Sequence, residues 1–143
     1  MLKHLNLLAA VCSLVIVAGC GTADSLSPSN LDVEVRSFTT THAQTDSFIG
    51  TFRFCNKTPK SIRAEFGSSQ WFDLVFYDSL GVERFHYNHI AYQILAYLEL
   101  GPFGTHTDKL AFPFYALPPG VYRVHAWVFG HEDIYSETSI EVR

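Results

Sequence analysis

The residues of this chain whose chemistry could support catalysis or metal binding are seven histidines, three cysteines and an aspartate inside an apolar run. His86 and His89 are three residues apart, and in a β-strand that spacing puts two side chains on opposite faces. Joint metal ligation by this pair is therefore disfavoured. The zinc signatures His-Glu-x-x-His and Cys-x-x-Cys do not occur in the sequence. We predict no metal site and no cofactor.

Asp73 is the carboxylate with the most unusual setting, because it lies between Phe72 and Leu74 in an apolar run. An unpaired buried carboxylate is costly, so Asp73 must be hydrogen-bonded if it is buried. It is either a catalytic or binding acid or a structural group that ties down a neighbouring loop. We favour the structural role, since no nucleophile or base stands at a recognisable spacing. The segment 67–70 (GSSQ) also lacks the second glycine of a nucleophile elbow. The chain is therefore predicted not to be an enzyme.

The N-terminal segment has the pattern of a bacterial lipoprotein signal. Lys3 supplies a positive charge, residues 7–17 are apolar, and two small residues precede Cys20. The apolar stretch is shorter than the roughly 20 residues of a membrane-spanning helix. The pattern resembles the lipobox, in which cleavage after Gly19 leaves Cys20 as the acylated first residue. A plain secretory signal is the alternative, and the cysteine would then be coincidental.

Acylation of Cys20 would anchor the protein in the cell envelope, since stable anchoring takes more than one lipid chain. Gly21 stands where an aspartate often signals inner-membrane retention, which favours the outer membrane if the source is Gram-negative. Residues 20–30 are small and polar, which is typical of a flexible tether. We therefore divide the chain into a signal peptide at 1–19, the lipid-anchored Cys20 with its linker to residue 30, and one domain at 31–143.

Composition excludes one class of partner and one kind of cross-link. Removal of residues 1–19 takes one charged residue, Lys3, so the mature chain has 9 basic and 14 acidic residues and a net charge of −5. Nucleic-acid binding would need a basic stripe, and none is present. Cys12 lies in the signal and Cys20 is the lipid site, which leaves Cys55 alone in the domain. No disulfide can form within the domain, and Cys55 is expected to be a buried apolar residue.

Hydrophobic alternation of period two, repeated between turn signals, predicts a domain made of β-strands. The clearest stretches are 31–36, 62–66 and 122–128, while 71–77 is almost continuously apolar. Seven to nine strands with turn signals every 8–12 residues indicate an all-β fold, an immunoglobulin-like antiparallel β-sandwich. No helix long enough for a βαβ unit is visible, which argues against a nucleotide-binding α/β fold.

Four stretches carry more specific expectations. Residues 90–100 fit a short helix or an extended segment, and we favour the extended one. Pro113 interrupts the strand at 105–115, which favours an edge position. Residues 130–133 are expected to form a loop before the last strand. Leu117 to Tyr122 resembles the tyrosine corner of immunoglobulin-like sandwiches, in which the hydroxyl bonds back to nearby backbone; an ordinary core tyrosine is the alternative.

Aromatic side chains are the remaining candidates for a binding surface. Trp71, Trp127 and Tyr135 are candidates for outward-facing positions, and aromatic residues anchor many protein interfaces. The alternative, which is the more common fate of any single ring, is packing against the domain itself.

Residues 67–88 (GSSQWFDLVFYDSLGVERFHYN) resemble the BsuPI-type intracellular proteinase inhibitor domain of bacteria. The resemblance extends to the Pro-Gly-x-Tyr turn near the C-terminus and covers the chain from about residue 31 onward. The matching positions, for which it implies structural roles, are Gln70, Phe72, Asp73, Asp78, Gly81, Phe85, Tyr87, Gly120 and Tyr122. The family usually has tryptophan at both positions occupied here by Phe85 and Tyr87.

This resemblance implies the sandwich fold and, less directly, an activity. The founding function of the family is inhibition of an intracellular serine protease, whereas this chain carries an export and lipidation signal. We therefore predict a lipid-anchored protein-binding module of the cell envelope with a protein partner, for which the resemblance implies a serine protease. The alternative is a structural accessory subunit of an envelope assembly with no inhibitory activity.

Overall fold

The computed structural model describes residues 26–44, 46–87, 95–113 and 117–143. The predicted cleavage and acylation residues, Gly19 and Cys20, lie outside this part of the chain, as do His89 and residues 90–94. The described residues contain no helix that could cross a membrane. Their strands are β1 (Leu31–Ser37), β2 (Thr41–His42), β3 (Ser47–Asn56), β4 (Ile62–Phe66), β5 (Phe72–Tyr77), β6 (Glu83–His86), β7 (Ala96–Leu100), β8 (Thr105–Pro113), β9 (Gly120–Val128) and β10 (His131–Val142).

The strands form two main sheets and a small third one. The first sheet has the order β1-β3-β8, the second β2-β10-β9-β5-β6, and β4 pairs with β7. All of these pairings are antiparallel except the two-residue pairing of β2 with β10, which is parallel. The fold is the predicted all-β, immunoglobulin-like sandwich. The strand β2 was not predicted, because two residues are too short to show an alternation.

The described residues form ten strands, more than the predicted seven to nine. Two of the three local strand predictions that can be checked held. Residues 96–100 are extended, and Pro113 lies at the end of β8, an edge strand of its sheet. The predicted loop at 130–133 is wrong, because β10 already begins at His131. Gly130 adopts a left-handed φ of 79°, which lets the chain turn back within two residues, and a bulge between His131 and Tyr135 then corrects the register.

Phenylalanine rings fill the space between the two main sheets. Phe48, Phe52, Phe54 and Phe76 have no exposed surface. The ring of Phe52 stacks on that of Phe72 at 4.6 Å, and Phe48 meets Phe76 at 5.6 Å. Each of these two pairs joins β3 to β5, so aromatic contacts hold the sheets face to face. Cys55 is partly exposed rather than buried, because alternation on β3 sends Phe54 inward and Cys55 outward.

The domain begins before residue 31, so the predicted linker is too long. Leu26 and Asn30 are each only 8% exposed. The Asn30 side chain accepts a hydrogen bond from the Ser27 N–H at 2.9 Å, and the Asn30 carbonyl accepts one from the Lys57 N–H at 2.9 Å. Polar composition suggested a tether here, but these polar groups are satisfied by the fold itself. Residues 26–30 therefore belong to the domain.

Asn56 links two turns at the end of the sandwich where the described chain begins. Its Nδ2 donates to the carbonyls of Lys60 at 2.6 Å and Gly101 at 2.8 Å. Its Oδ1 accepts from the Thr58 N–H and hydroxyl, both at 2.9 Å. The side chain is 4% exposed. One buried amide thus fixes the turn after β3 against the turn between β7 and β8.

The turn between β7 and β8 has an unusual residue at its tip. Its closing bond runs from the Gly104 N–H to the Gly101 carbonyl at 2.9 Å, with Pro102 and Phe103 in the two central positions. Phe103 has a φ of 53°. Pro followed by a positive φ is the type II arrangement, in which glycine is the usual third residue. A left-handed conformation costs a residue with a Cβ about 1–2 kcal/mol.

Candidate functional site

Aromatic rings lie between β6, an end strand of the larger sheet, and β8, an end strand of the smaller one. Phe85 and Tyr87 supply two of these rings. The Phe85 ring stacks on Phe112 at 5.1 Å, while Tyr87 lies 5.0 Å from Phe112 and stacks on Phe72 at 5.9 Å. Three of the motif positions taken from the family resemblance, Phe72, Phe85 and Tyr87, therefore lie along this edge of the sandwich.

A cleft of about 240 Å³ remains beside these rings, and we call it the edge cleft. Burial raises the pKa of the Tyr87 hydroxyl, and the negative charges of Asp108 and Asp73 raise it further. Tyr87 is therefore a phenol, able to donate a hydrogen bond, throughout the neutral range. The lining combines aromatic surface with polar groups of both signs and consists of Ser69, Gln70, Trp71, Phe72, Tyr87, Asp108 and Lys109.

Trp71 packs on the domain rather than facing outward. Its ring lies 4.9 Å from His106 and 6.3 Å from Phe66, and it meets Phe54 edge-on at 6.4 Å. The indole Nε1 is buried and has no hydrogen-bond partner among the described residues. Of the two alternatives considered for this ring, Trp71 therefore takes the one in which it packs against the domain.

Asp73 is buried and paired on the outer face of the larger sheet. It is 8% exposed, and its Oδ1 accepts the Leu74 N–H at 2.8 Å. Its Oδ2 lies 2.8 Å from Nε2 of His86 on the neighbouring strand β6. The carboxylate therefore ties β5 to β6 rather than to a loop. The sequence pattern offered His86 only as a partner of His89, because Asp73 is 13 positions away along the chain.

Glu83 is a further neighbour of the Asp73–His86 pair. Nδ1 of His86 lies 3.7 Å from Oε1 of Glu83, so both ring nitrogens face carboxylates. In the part of the chain that the structure describes, no serine, threonine or cysteine hydrogen-bonds to this ring. Nor do the described residues place three or more histidine, cysteine, aspartate or glutamate side chains where they could hold a metal ion. The arrangement can orient side chains for binding.

Beyond His86, a row of rings crosses the outer face of the larger sheet. The centroid distances are 6.3 Å from His86 to Trp127, 5.5 Å from Trp127 to His125 and 5.0 Å from His125 to Tyr135. We call these four residues the aromatic band. Tyr135 is 55% exposed, and Trp127 is partly exposed. Trp127 and Tyr135 thus lie on the outer face of the sheet, which is the outward-facing alternative considered for these rings.

Charged side chains hold the band in place. Oε1 of Glu137 lies 2.9 Å from Nδ1 of His125 and 3.0 Å from Nη1 of Arg123. The Arg123 guanidinium also lies over the ring of Tyr77, 5.0 Å from its centroid. The sequence carried part of this signal, because alternation on β9 puts residues 123, 125 and 127 on one face. The partners on β6 and β10 depend on strand register.

Asp78 and Gly81 form the hairpin turn between β5 and β6. Oδ1 of Asp78 accepts the N–H groups of Leu80 and Val82, each at 2.9 Å, and Oδ2 accepts from Nε of Arg84 at 2.7 Å. Gly81 has a φ of 76°, which glycine adopts without strain. These two motif residues shape a turn.

The hydrogen bonds of this turn lead to a prediction about its pH dependence. The Val82 N–H, the Arg84 side chain and the Leu80 N–H hold the pKa of Asp78 below its ordinary value of 3.8. The turn's extra stability is therefore present above pH 3.8 and is lost as the pH falls through the lower, folded-state pKa. In an NMR titration, the Asp78 carboxyl should titrate with a midpoint below 3.8. Asp78→Asn should remove this titration, and a midpoint at or above 3.8 would contradict the assignment.

Gly120 and Tyr122 form the corner that the sequence suggested. The Tyr122 hydroxyl donates to the Pro118 carbonyl at 2.6 Å, as expected of a tyrosine corner. Burial raises the pKa of this hydroxyl, which keeps it protonated as a donor. The motif positions thus divide between the edge cleft and its wall (Gln70, Phe72, Phe85, Tyr87), the outer sheet face (Asp73), a turn (Asp78, Gly81) and the corner (Gly120, Tyr122).

Comparisons with known proteins show likeness of fold. No protein-family model matches the chain, and no curated protein matches it. A CARDB domain from Pyrococcus furiosus is 12% identical to this chain at a TM-score of 0.48. The match covers 79% of this chain and 94% of that domain. A β-glucosidase from Erythrobacter marinus is 11% identical over 79% of this chain and 15% of its own length, at a TM-score of 0.53.

A DNA glycosylase from Pseudomonas fluorescens is also 11% identical, over 80% of this chain and 30% of its own, at a TM-score of 0.50. The chain thus spans less than a third of either enzyme. At such identities the likeness concerns the sandwich alone.

Proposed function

We propose that this chain is a lipid-anchored protein-binding module of the cell envelope, attached to the membrane through Cys20. The observation that carries the proposal is the aromatic band. Tryptophan, tyrosine and arginine supply a large share of the binding energy in protein interfaces. Here Trp127, Tyr135 and Arg123 share the outer face of one sheet. The lipobox pattern supports the location, and the band supports the mode of action.

The band is organised before any partner arrives. Asp73 holds His86, and Glu137 holds both His125 and Arg123. A binding surface whose side chains are already ordered loses less conformational entropy on association. These internal ion pairs also surround the apolar rings with polar groups, which resembles the polar rim of a protein interface. The partner should therefore present an apolar centre with polar groups around it.

The BsuPI resemblance supports a narrower version of the proposal, in which the partner is a serine protease. An exported, lipidated chain would meet such a protease outside the cytoplasm. A protease that co-purifies with the chain and is slowed by it would support inhibition. Recovery of a non-protease envelope assembly would instead favour the accessory-subunit alternative.

Substitution of Trp127 tests the proposed surface. Co-purification from membrane and periplasmic extract, with the full chain as bait, should identify the partner, and its affinity can then be measured. Trp127→Ala should weaken binding by about thirtyfold or more, because loss of a central interface tryptophan costs about 2 kcal/mol or more. Arg53→Ala on the outer face of the other sheet is the control and should bind normally. Normal binding by both Trp127→Ala and Tyr135→Ala would rule out the band as the interface.

A further inference from the structure

We infer that the turn carrying Phe103 dips into the surface of the lipid bilayer to which the chain is anchored. This inference rests on the proposed acylation of Cys20. It assigns a membrane-contacting surface to the domain itself, in addition to the lipid chains. We call this surface the Phe103 corner and define it by Pro28, Lys57, Thr58 and Phe103.

Direct contacts connect the start of the domain to Phe103. The Lys57 ammonium donates to the Pro28 carbonyl at 2.6 Å, and the Lys57 N–H donates to the Asn30 carbonyl at 2.9 Å. The next residue, Thr58, accepts the Phe103 N–H at 3.0 Å. The first described residues and the Phe103 turn therefore form one continuous corner of the sandwich.

The length of chain before this corner limits its distance from the membrane. Six residue steps separate Cys20 from Leu26. Fully extended, they reach at most about 20 Å. The ten-residue strand β3 alone spans roughly 30 Å at the usual rise of a strand. An acylated Cys20 therefore keeps the Phe103 corner near the bilayer, whereas the opposite end of the sandwich has no such restraint.

Phe103 has the chemistry and the exposure for a bilayer contact. Its side chain is 65% exposed at the tip of the turn. It also occupies a left-handed position that glycine would fill without strain. A large apolar side chain held at a strained, exposed position is the kind of outlier that points to function. Aromatic and aliphatic residues of peripheral segments bury themselves at the boundary of headgroups and acyl chains.

The positive charge of the corner is paired within the fold. The Lys57 ammonium lies 3.2 Å from the carboxylate of Asp32. The mature chain as a whole has a net charge of −5. Contact through this corner would leave the aromatic band, on the outer face of the larger sheet, accessible to a protein partner.

Fluorescence quenching by lipid tests the contact. The full chain, processed and acylated in a bacterial host, is reconstituted into vesicles of phosphatidylethanolamine and phosphatidylglycerol with brominated acyl chains. Phe103→Trp is the reporter. Leu80→Trp is the matched control, because Leu80 is 83% exposed at the tip of the β5–β6 turn at the other end of the sandwich. Mass spectrometry establishes the acylation of each sample.

The fluorescence of the unsubstituted chain is subtracted, which leaves the emission of the added tryptophan. For Phe103→Trp this emission should be blue-shifted and quenched roughly twofold or more, because the boundary of headgroups and acyl chains lies about 5–10 Å deep. The Leu80→Trp signal should be unquenched. Equal quenching of the two reporters, or none in either, in acylated protein overturns the membrane contact and leaves the anchor standing. Absence of acyl chains overturns the anchor, and the membrane contact with it.

Discussion

Replacing Phe52 by alanine is expected to lower the free energy of unfolding by about 3–5 kcal/mol. The ring has no exposed surface, and it lies 4.6 Å from Phe72 on the opposite sheet and 4.9 Å from Phe54 on its own strand. Its removal leaves a cavity between two sheets whose backbones cannot collapse onto it. Urea denaturation of the mature chain, followed by circular dichroism, measures the loss directly.

The neighbouring position supplies the control for this experiment. Arg53 lies on the same strand but faces outward, so Arg53→Ala should change stability by no more than about 0.5 kcal/mol. A loss below about 1 kcal/mol for Phe52→Ala would mean that the ring does not fill the space between the sheets. Since Phe72 also lines the edge cleft, the cleft should lose its shape in the same variant.

Replacing Asn56 by alanine is expected to cost about 2–3 kcal/mol, a large effect for a single turn residue. The Gly101 and Lys60 carbonyls and the Thr58 N–H all lose their partner, and each unsatisfied buried group costs about 1–3 kcal/mol, of which water recovers part. The two turns that Asn56 joins should then open locally. Hydrogen exchange at the Phe103 N–H should rise together with the loss of global stability.

Asn56→Asp separates the donor role of this side chain from its acceptor role. The carboxylate still accepts the Thr58 N–H, but it places a negative charge against the carbonyls of Lys60 and Gly101. It should therefore destabilise the domain about as much as alanine does. A stability close to that of the unsubstituted chain would show that the bonds to the two carbonyls contribute little.

Local features of the chain predicted much of the fold. Alternation at 62–66 and 122–128 gave strands because the side-chain period of a strand is fixed by its backbone. Pro113 indicated an edge because it lacks the N–H that a central ladder needs. The turn before Tyr122 indicated a tyrosine corner, and the hydrogen bond from its hydroxyl to the Pro118 carbonyl is present. Each of these signals depends on a few neighbouring residues.

Contacts between distant residues were not predictable in the same way. The sequence indicated only that Asn56 lies in a turn, whereas its hydrogen-bond partner Gly101 is 45 positions away along the chain. Residues 26–30 were predicted to be part of the linker because their composition is polar. Composition does not reveal that Asn30 forms hydrogen bonds with Ser27 and Lys57. The pairing of Asp73 with His86 required the register of β5 against β6.

The sequence by itself determined the all-β character of the domain, most of its strands and its turn residues, because these follow from backbone geometry and local alternation. It also supplied the lipobox on which the predicted envelope location rests. The tertiary structure alone decided which side chains meet. The aromatic band takes its members from β6, β9 and β10, and the Phe103 corner joins Pro28 to two distant turns. The physical reason is that the register of strand pairing, not proximity along the chain, sets which residues become neighbours.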